Sequence, residues 1–326
     1  MNAAASTWSP AWVEPAANTE PPAPVYLSLP GPDAGWAYRR QRWALQMASL
    51  RRSHTLRPQR ALCYASTHRP AAALCEAFDG LFDLRRGPQG TCYPFVYAQG
   101  VVTLLQSHLF DELGLWRRHA LHARHHARLT AGAHEALRGA RQHIECRVRR
   151  LVRTGPTEVM VQLHTRVADE RDTTLAEVED GFLFGRLQVA AAMLAEEDDL
   201  VRRGVSRARR RQAEIDPLVA GVRMRQLYLA PDAGRRYGLL SGERGLAHEA
   251  GLLARLAGHP QPHAQPLYLR NLLARELAEW GLDAGVLQMS FCGRARLGQT
   301  LRLVEHAGVF ELVDERGRLL AFGKAG

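Results

Sequence analysis

The sequence predicts an α+β fold in which one unit, a buried helix followed by antiparallel strands, is built twice. Three observations carry this. The run VVTLLQSHLFDELGL after Gly100 has the apolar density and length of a buried helix. Residues 143–152 (HIECRVRRLV) and 158–167 (EVMVQLHTRV) alternate apolar with polar residues, as strands with one covered face do. The pattern then returns: Ala264-Gln265-Pro266 opens LYLRNLLARELAEWGL much as Ala98-Gln99-Gly100 opens the first run, and a repeated unit constrains a fold more than any single element.

Residues 1–35, rich in Pro and Ala without sustained periodicity, read as an extended arm. Residues 36–50 (WAYRRQRWALQMASL) have helical spacing of apolar side chains. A turn-rich stretch leads to the first buried helix, which closes at LGL with a glycine near its C-terminus. Arg153-Thr154-Gly155-Pro156 is the expected turn of the first strand pair, and residues 173–187 add a third strand. Residues 188–216, charged and Ala-rich, read as a helical linker. Behind the second helix come strands at 285–292, 300–305, 309–313 and 319–323, with turns at His306-Ala307-Gly308 and Asp314-Glu315-Arg316-Gly317. The expected division is therefore an arm at 1–60, a first repeat at 61–187, the linker at 188–216 and a second repeat at 217–326. Two curved sheets pairing edge to edge would remove an exposed edge strand from each repeat.

Composition narrows the function classes. With 326 residues and 46% hydrophobic residues, the chain has material for a sizeable core. No run of about 18 apolar residues could span a bilayer, and no charged-then-apolar leader opens the sequence, so the expected location is cytoplasmic. Five scattered cysteines without CxxC spacing read as reduced, buried thiols. The net charge of +10 invites a nucleic-acid reading. Against it, Lys324 is the only lysine and arginine is used throughout, which resembles a compositional bias. The densest basic run, RRGVSRARRR at 202–211, reads as a solvated face or as a dock for an acidic partner such as coenzyme A phosphates or a carrier protein. GxGxxG, GxxxxGK[ST] and GxSxG motifs are absent.

Residues 237–248 read YGLLSGERGLAH, and GHPQPHAQPL follows at 258–267. These segments resemble the MaoC-like acyl dehydratases and (R)-specific enoyl-CoA hydratases in their double hot-dog form. That family carries S-G-D-x-N-P-x-H followed by G-F-x-x-P-I-x-H-G-M. Tyr93-Pro94 is similar to the start of the family's non-catalytic N-terminal repeat, so the resemblance covers about residues 90–326. It implies two central helices, each wrapped by an antiparallel sheet, and a 3-hydroxyacyl-thioester dehydratase or enoyl-thioester hydratase activity. Glu243 takes the place of the catalytic aspartate and His248 that of the catalytic histidine. Ser241 and Gly242 shape the loop, Gln265 and Leu267 support it or supply the oxyanion donor, and Tyr237, Arg235 and Arg236 meet the thioester and its phosphates. Coenzyme A or phosphopantetheine enters as part of the substrate; no metal or redox cofactor is implied. The implied partners are acyl-CoA or an acyl-carrier protein, with a homodimer or a hot-dog partner subunit.

The chemistry explains the residue types. Adding water across an α,β-unsaturated thioester needs a water held at C3 and a proton moved at C2, work a carboxylate and an imidazole can share. Backbone N–H groups at the central helix N-terminus would stabilise the enolate-like oxygen. The departures from the family pattern are equally specific. Glutamate moves the carboxylate outward by ~1.5 Å, the length of a C–C bond. Gly245-Leu246 replaces Asn-Pro, and Gln265-Pro266 replaces His-Gly, where proline has no N–H to donate. They leave open a second class of function, a catalytically degenerate thioester-binding subunit or scaffold beside an active partner. Two other histidine groups stand out. His119, His122 and His126 would share a helical face at metal-ligand spacing, without a carboxylate or cysteine beside them in sequence. His263 could be a substitute acid–base group or a capping side chain.

Overall fold

A computed structural model of the chain describes residues 23–50, 56, 62–83, 95–115, 120–130, 133–187, 195–243, 245–256, 259–283 and 285–326. Cys92, Tyr93, Pro94, His119, residues 188–194, Arg244 and Gly258 lie outside them.

An N-terminal segment of β1 (Val25–Tyr26), a 3-10 turn (Pro32–Ala34) and α1 (Trp36–Leu50) precedes the first repeat, which runs β2 (Cys63–His68), α2 (Ala72–Phe82), α3 (Phe95–Glu112) and β3 (Leu121–Leu129). It continues with α4 (Ala133–Leu137) and the meander β4 (Gln142–Gly155), β5 (Glu158–Ala168) and β6 (Thr174–Phe184). After β7 (Glu196–Glu197) and α5 (Asp199–Arg210) the second repeat begins with β8 (Arg223–Tyr228) and α6 (Ala233–Ser241). A 3-10 turn (Leu246–His248), α7 (Gly251–Leu256), α8 (Pro266–Glu279) and β9 (Val286–Phe291) follow. The second meander is β10 (Thr300–His306), β11 (Val309–Val313) and β12 (Leu319–Ala325).

All strands belong to one sheet, ordered β1-β2-β4-β5-β6-β3-β9-β12-β11-β10-β8, with β7 on β4. Counted from its own first strand, each repeat has the same order: β2-β4-β5-β6-β3 matches β8-β10-β11-β12-β9. The repeats meet at their corresponding second strands, β3 and β9, which pair antiparallel from Arg124↔Ser290 to Arg128↔Val286. Both seam strands are therefore hydrogen-bonded on two sides and neither repeat has an open edge there. This is the edge-to-edge duplication that the repeated pattern predicts.

The two long helices are α3 and α8. Ordinary amphipathic helices bury one stripe, but α8 buries Leu267 through Ala274 without interruption, and α3 buries residues from Tyr97 to Phe110 on several faces. Such helices are stable only when covered from more than one side. The meander strands follow from alternation, although the first turn falls two residues later than expected: Gly155 pairs with Glu158, leaving Pro156-Thr157 as the loop.

The charged linker is docked. Asp198 caps α5 by accepting from the N–H groups of Leu200 and Val201, each at 3.0 Å. Val201 and Val205 then pack with Ala123, Val152, Met160 and Leu183. Beyond α5 the buried Glu311 accepts from Arg211 Nη2 at 3.0 Å and from the N–H groups of Glu214 and Ile215 at 2.9 and 3.0 Å. Much of the basic run is thus answered: Arg202 pairs with Asp199, Arg209 with Glu158, and Arg211 with Glu311. Of the cysteines, Cys63, Cys75 and Cys146 are buried and Cys292 half-buried, all free thiols. Burial pushes the thiols of Cys63, Cys146 and Cys292 up to about 12, so they are unreactive near neutral pH. No helix among the described residues is long and apolar enough to cross a membrane.

Candidate active site

Helix α6 carries the first part of the site. It ends at Gly242, whose φ of 71° is the left-handed geometry that glycine adopts without a Cβ penalty. Ser241 Oγ donates back to the Tyr237 carbonyl at 2.9 Å and accepts from the Glu243 N–H at 3.1 Å. Glu243 therefore leaves the helix in a fixed direction. Five residues on, the 3-10 turn brings in His248, whose N–H donates to the Gly245 carbonyl at 2.9 Å.

The His248 ring is oriented by the chain ahead of α8. Its Nδ1 lies 2.7 Å from the His263 carbonyl oxygen. A carbonyl can only accept, so Nδ1 carries the proton and a neutral ring presents its lone pair at Nε2. Burial lowers the His248 pKa, with Arg42 and Arg294 acting the same way and the His263 carbonyl and Glu243 opposing. The group is thus a neutral base at neutral pH. Two glycines make the geometry possible. A Cβ on Gly245 would sit 3.0 Å from His248 Cδ2 and 3.5 Å from Nε2, shading the basic edge. A Cβ on Gly234 would fall 2.2 Å from the His248 carbonyl oxygen, so α6 can back directly onto the turn.

Gln265 ties these pieces together. Fully buried at the start of α8, it donates from Nε2 to the Gly234 carbonyl at 2.8 Å and to the Glu243 carbonyl at 3.2 Å. Its side chain makes no cap for α8. With proline at the first helical position, the Leu267 N–H is the first donor at that helix end.

Other expected residues are placed differently. Tyr237 is not at the surface with the substrate phosphates. It is fully buried, with ring centroids 6.3 Å from Phe78, 6.1 Å from Phe82 and 5.7 Å from Tyr268, joining α2 of the first repeat to the second. An aromatic at that position of α6 faces inward because the neighbouring Arg235 and Arg236 take the exposed face. His263 contributes its backbone carbonyl. Its ring lies edge-on to His248 at 4.7 Å, and burial, with His248 and His259 nearby, holds its pKa down at about 3.

The histidine-rich segment is strand β3, not a helix, because β6 and β9 pair with it on both sides. A bulge at Ala123, between His122 and Arg124, brings His122 and His125 to the same partner. Asp180 Oδ1 accepts from His122 Nε2 at 2.9 Å and His125 Nδ1 at 2.7 Å, while Oδ2 accepts from Gln106 Nε2 at 3.1 Å. On the far side of His125, Nε2 lies 3.2 Å from Arg270 Nη1 and accepts from it. Arg270 also donates to Asn271 Oδ1 at 2.9 and 2.6 Å. Burial alone would raise Asp180, but the two imidazoles hold its carboxyl well below the usual range. Burial lowers the His125 pKa to about 3, against the pull of Asp180 and with the help of Arg270. Donor atoms of His122, His125 and Asp180 lie within 4.8 Å of one another, as in a metal-binding set. The fit is poor: His125 Nδ1 must keep its proton while Nε2 accepts from Arg270, and a guanidinium beside the ring already supplies the positive charge. Sequence reasoning missed Asp180, Arg270, Asn271 and Gln106. The one visible signal was the polar pair Arg270-Asn271 inside the leucine-rich run of α8.

No protein-family model matches the sequence, and no curated protein sequence does. Solved structures do. Peroxisomal multifunctional enzyme type 2 of Drosophila melanogaster superposes with a TM-score of 0.56 at 15% identity, over 81% of this chain and 48% of the enzyme. The chain thus spans about half the length of that protein. A MaoC-like dehydratase from Phytophthora capsici gives 0.54 at 14% identity, covering 82% of this chain and 95% of the other. A Mycobacterium tuberculosis protein with a double hot-dog fold gives 0.51 at 14% identity, covering 83% and 96%. The duplicated sheet and its two buried helices are a double hot-dog. It is the fold of the MaoC-like dehydratases.

Proposed function

We propose that the chain is a hydratase/dehydratase of acyl thioesters, acting on 3-hydroxyacyl or enoyl chains carried by coenzyme A or a carrier protein. The observation that carries this reading is the lone pair of His248 Nε2, held by the His263 carbonyl and kept unshaded by Gly245, five residues from Glu243. In the hydration direction Glu243 takes a proton from water as the water oxygen bonds to C3, and His248, protonated beforehand by solvent, gives its Nε2 proton to C2; Glu243 then releases its proton to solvent, so one water is added in all. Dehydration reverses each step. The Leu267 N–H, at the positive end of α8, would stabilise the thioester oxygen as enolate character develops. Arg235 and Arg236, exposed on α6, would meet the phosphates of the carrier.

The test is hydration of short and medium enoyl-CoA thioesters by the purified protein beside Glu243→Gln and His248→Ala. General acid–base groups typically contribute 10²–10⁴-fold, so each variant is expected to lose at least about a hundredfold in turnover. Binding of the thioester without turnover would instead make the protein a thioester-binding subunit. Absence of both binding and turnover would overturn the reading.

A further inference from the structure

The segment from Leu29 to Arg42, which precedes both repeats, touches each of them at a glycine. In α3 a Cβ on Gly100 would fall 2.0 Å from Pro32 Cγ. At the end of α6 a Cβ on Gly242 would fall 2.0 Å from Tyr38 Oη. Tyr38 is buried, and its hydroxyl donates to the Gly100 carbonyl at 3.0 Å. One phenol therefore fills the space between the central helix of the first repeat and the hinge from which Glu243 departs. Both glycines leave room for the same segment.

Arg42 lies one helical turn beyond Tyr38, on the same face of α1. Its Nη1 donates to the Gly242 carbonyl. The Gly242–Glu243 peptide is thus gripped at both ends, its N–H by Ser241 Oγ and its carbonyl by Arg42, and the next carbonyl is held by Gln265. Ser241 and Gln265 belong to the second repeat; Arg42 reaches the loop from outside it. The same guanidinium is near enough to His248 to hold its pKa down. The other groups around that ring are Glu243 on the loop, His263 with His259 behind it, and Arg294 after β9.

We propose that Arg42 is a positioning residue for the Glu243–His248 pair, and that α1 is a wall of the reaction centre and not a detachable arm. The proposal rests on the hydratase/dehydratase reading, but its contact can be tested apart from it. Arg42 fixes the peptide that aims Glu243 and sets the charge that His248 meets; it touches no substrate atom. Displacement of reacting groups by about 1 Å can cost on the order of a hundredfold in rate. Loss of Arg42 therefore acts on kcat and leaves KM for the thioester largely unchanged.

The experiment uses the full chain with Arg42→Ala, Arg42→Lys and, as a neighbour on the exposed face of α1, Arg40→Ala. Three readouts are taken: the pH dependence of kcat on an enoyl-CoA, the NMR titration of His248, and hydrogen exchange of the Glu243 amide. Arg42→Ala is expected to lower kcat by about tenfold or more. It should also move the His248 titration and the alkaline limb of the hydration profile to higher pH, and speed exchange at Glu243. Arg42→Lys should restore the titration and only part of kcat, because lysine keeps the charge and loses the planar fork. Millimolar guanidinium should rescue Arg42→Ala and leave Arg40→Ala as it is. If the wild type turns over no enoyl thioester, the hydratase/dehydratase reading fails while the titration and the exchange still report on the contact. An Arg42→Ala protein with wild-type kcat, His248 titration and Glu243 exchange overturns the proposal. So would an Arg40→Ala protein showing the same changes.

Discussion

Asp180 at the seam and Glu243 in the second repeat both stand beside imidazoles, in very different settings. Asp180 accepts three hydrogen bonds from His122, His125 and Gln106, and Arg270 closes the far side of His125. Every group in that line is buried, and it runs from α3 through β6 and β3 to α8, across the join of the two repeats. Around Glu243 and His248 the fixing contacts go to the main chain instead: Ser241 Oγ on the Glu243 N–H, Gln265 on its carbonyl, and the His263 carbonyl on His248 Nδ1. The same residue types are locked against each other at the seam and held by their backbones at the loop. The first arrangement specifies a pairing; the second leaves His248 Nε2 available for the proposed proton transfer.

The sharpest way to break the comparison is to remove one titratable side chain from each place. Asp180→Ala takes the common acceptor from the buried donors of His122, His125 and Gln106, and each buried donor left unsatisfied costs about 1–3 kcal/mol. Urea unfolding should show that loss. His248→Ala should change unfolding by less than about 1 kcal/mol while removing at least about a hundredfold in turnover. Equal stability losses in both variants would erase the distinction.

Acid sharpens it next. His125 has a folded-state pKa of about 3 against an ordinary value of 6.5, so below pH 6.5 the unfolded chain takes up a proton that the folded chain refuses. Its contribution is fully present above pH 6.5 and is lost steadily as pH falls toward 3, by about 1.4 kcal/mol per unit. His126 and His164, each held at about 4 by burial, add in the same direction. Denaturation midpoints measured at pH 7.5 and 5 should fall with pH, and in His125→Gln the fall should be shallower. The smallest effect concerns Gly245. Alanine there brings a Cβ to 3.0 Å from His248 Cδ2. The expected result is a few-fold loss of turnover with stability altered by less than about 1 kcal/mol, read in parallel assays.

The parts of the fold legible in the sequence are those whose cause is local. The buried runs of α3 and α8 and the alternation of β4, β5 and β10 to β12 announce themselves within a dozen residues. Strands β2, β3 and β8 do not. LHARHHARL has the Ala, Leu and Arg of a helix, and it is a strand because of what pairs on either side. At the site, the spacing of Glu243 and His248 and the loop residues Ser241 and Gln265 are visible in the motif, whereas the contacts from α1 are not. Tyr38 and Arg42 meet partners 62 and 200 residues away, and His125 meets Asp180 across 55. The bulge at Ala123 that brings His122 and His125 to one carboxylate leaves no mark in composition. Tyr237 misleads for the opposite reason: an aromatic beside two arginines looks like a ligand contact until the helix turns it inward.

The central claim is that His248 moves the C2 proton while Glu243 activates water, and it can be tested in one reaction. An enoyl-CoA is incubated with the protein in deuterium oxide and the product is examined by NMR. The account predicts a 3-hydroxyacyl thioester with deuterium at C2, formed by the wild type and at least about a hundredfold more slowly by His248→Ala and Glu243→Gln. Hydration at the wild-type rate in either variant would contradict it.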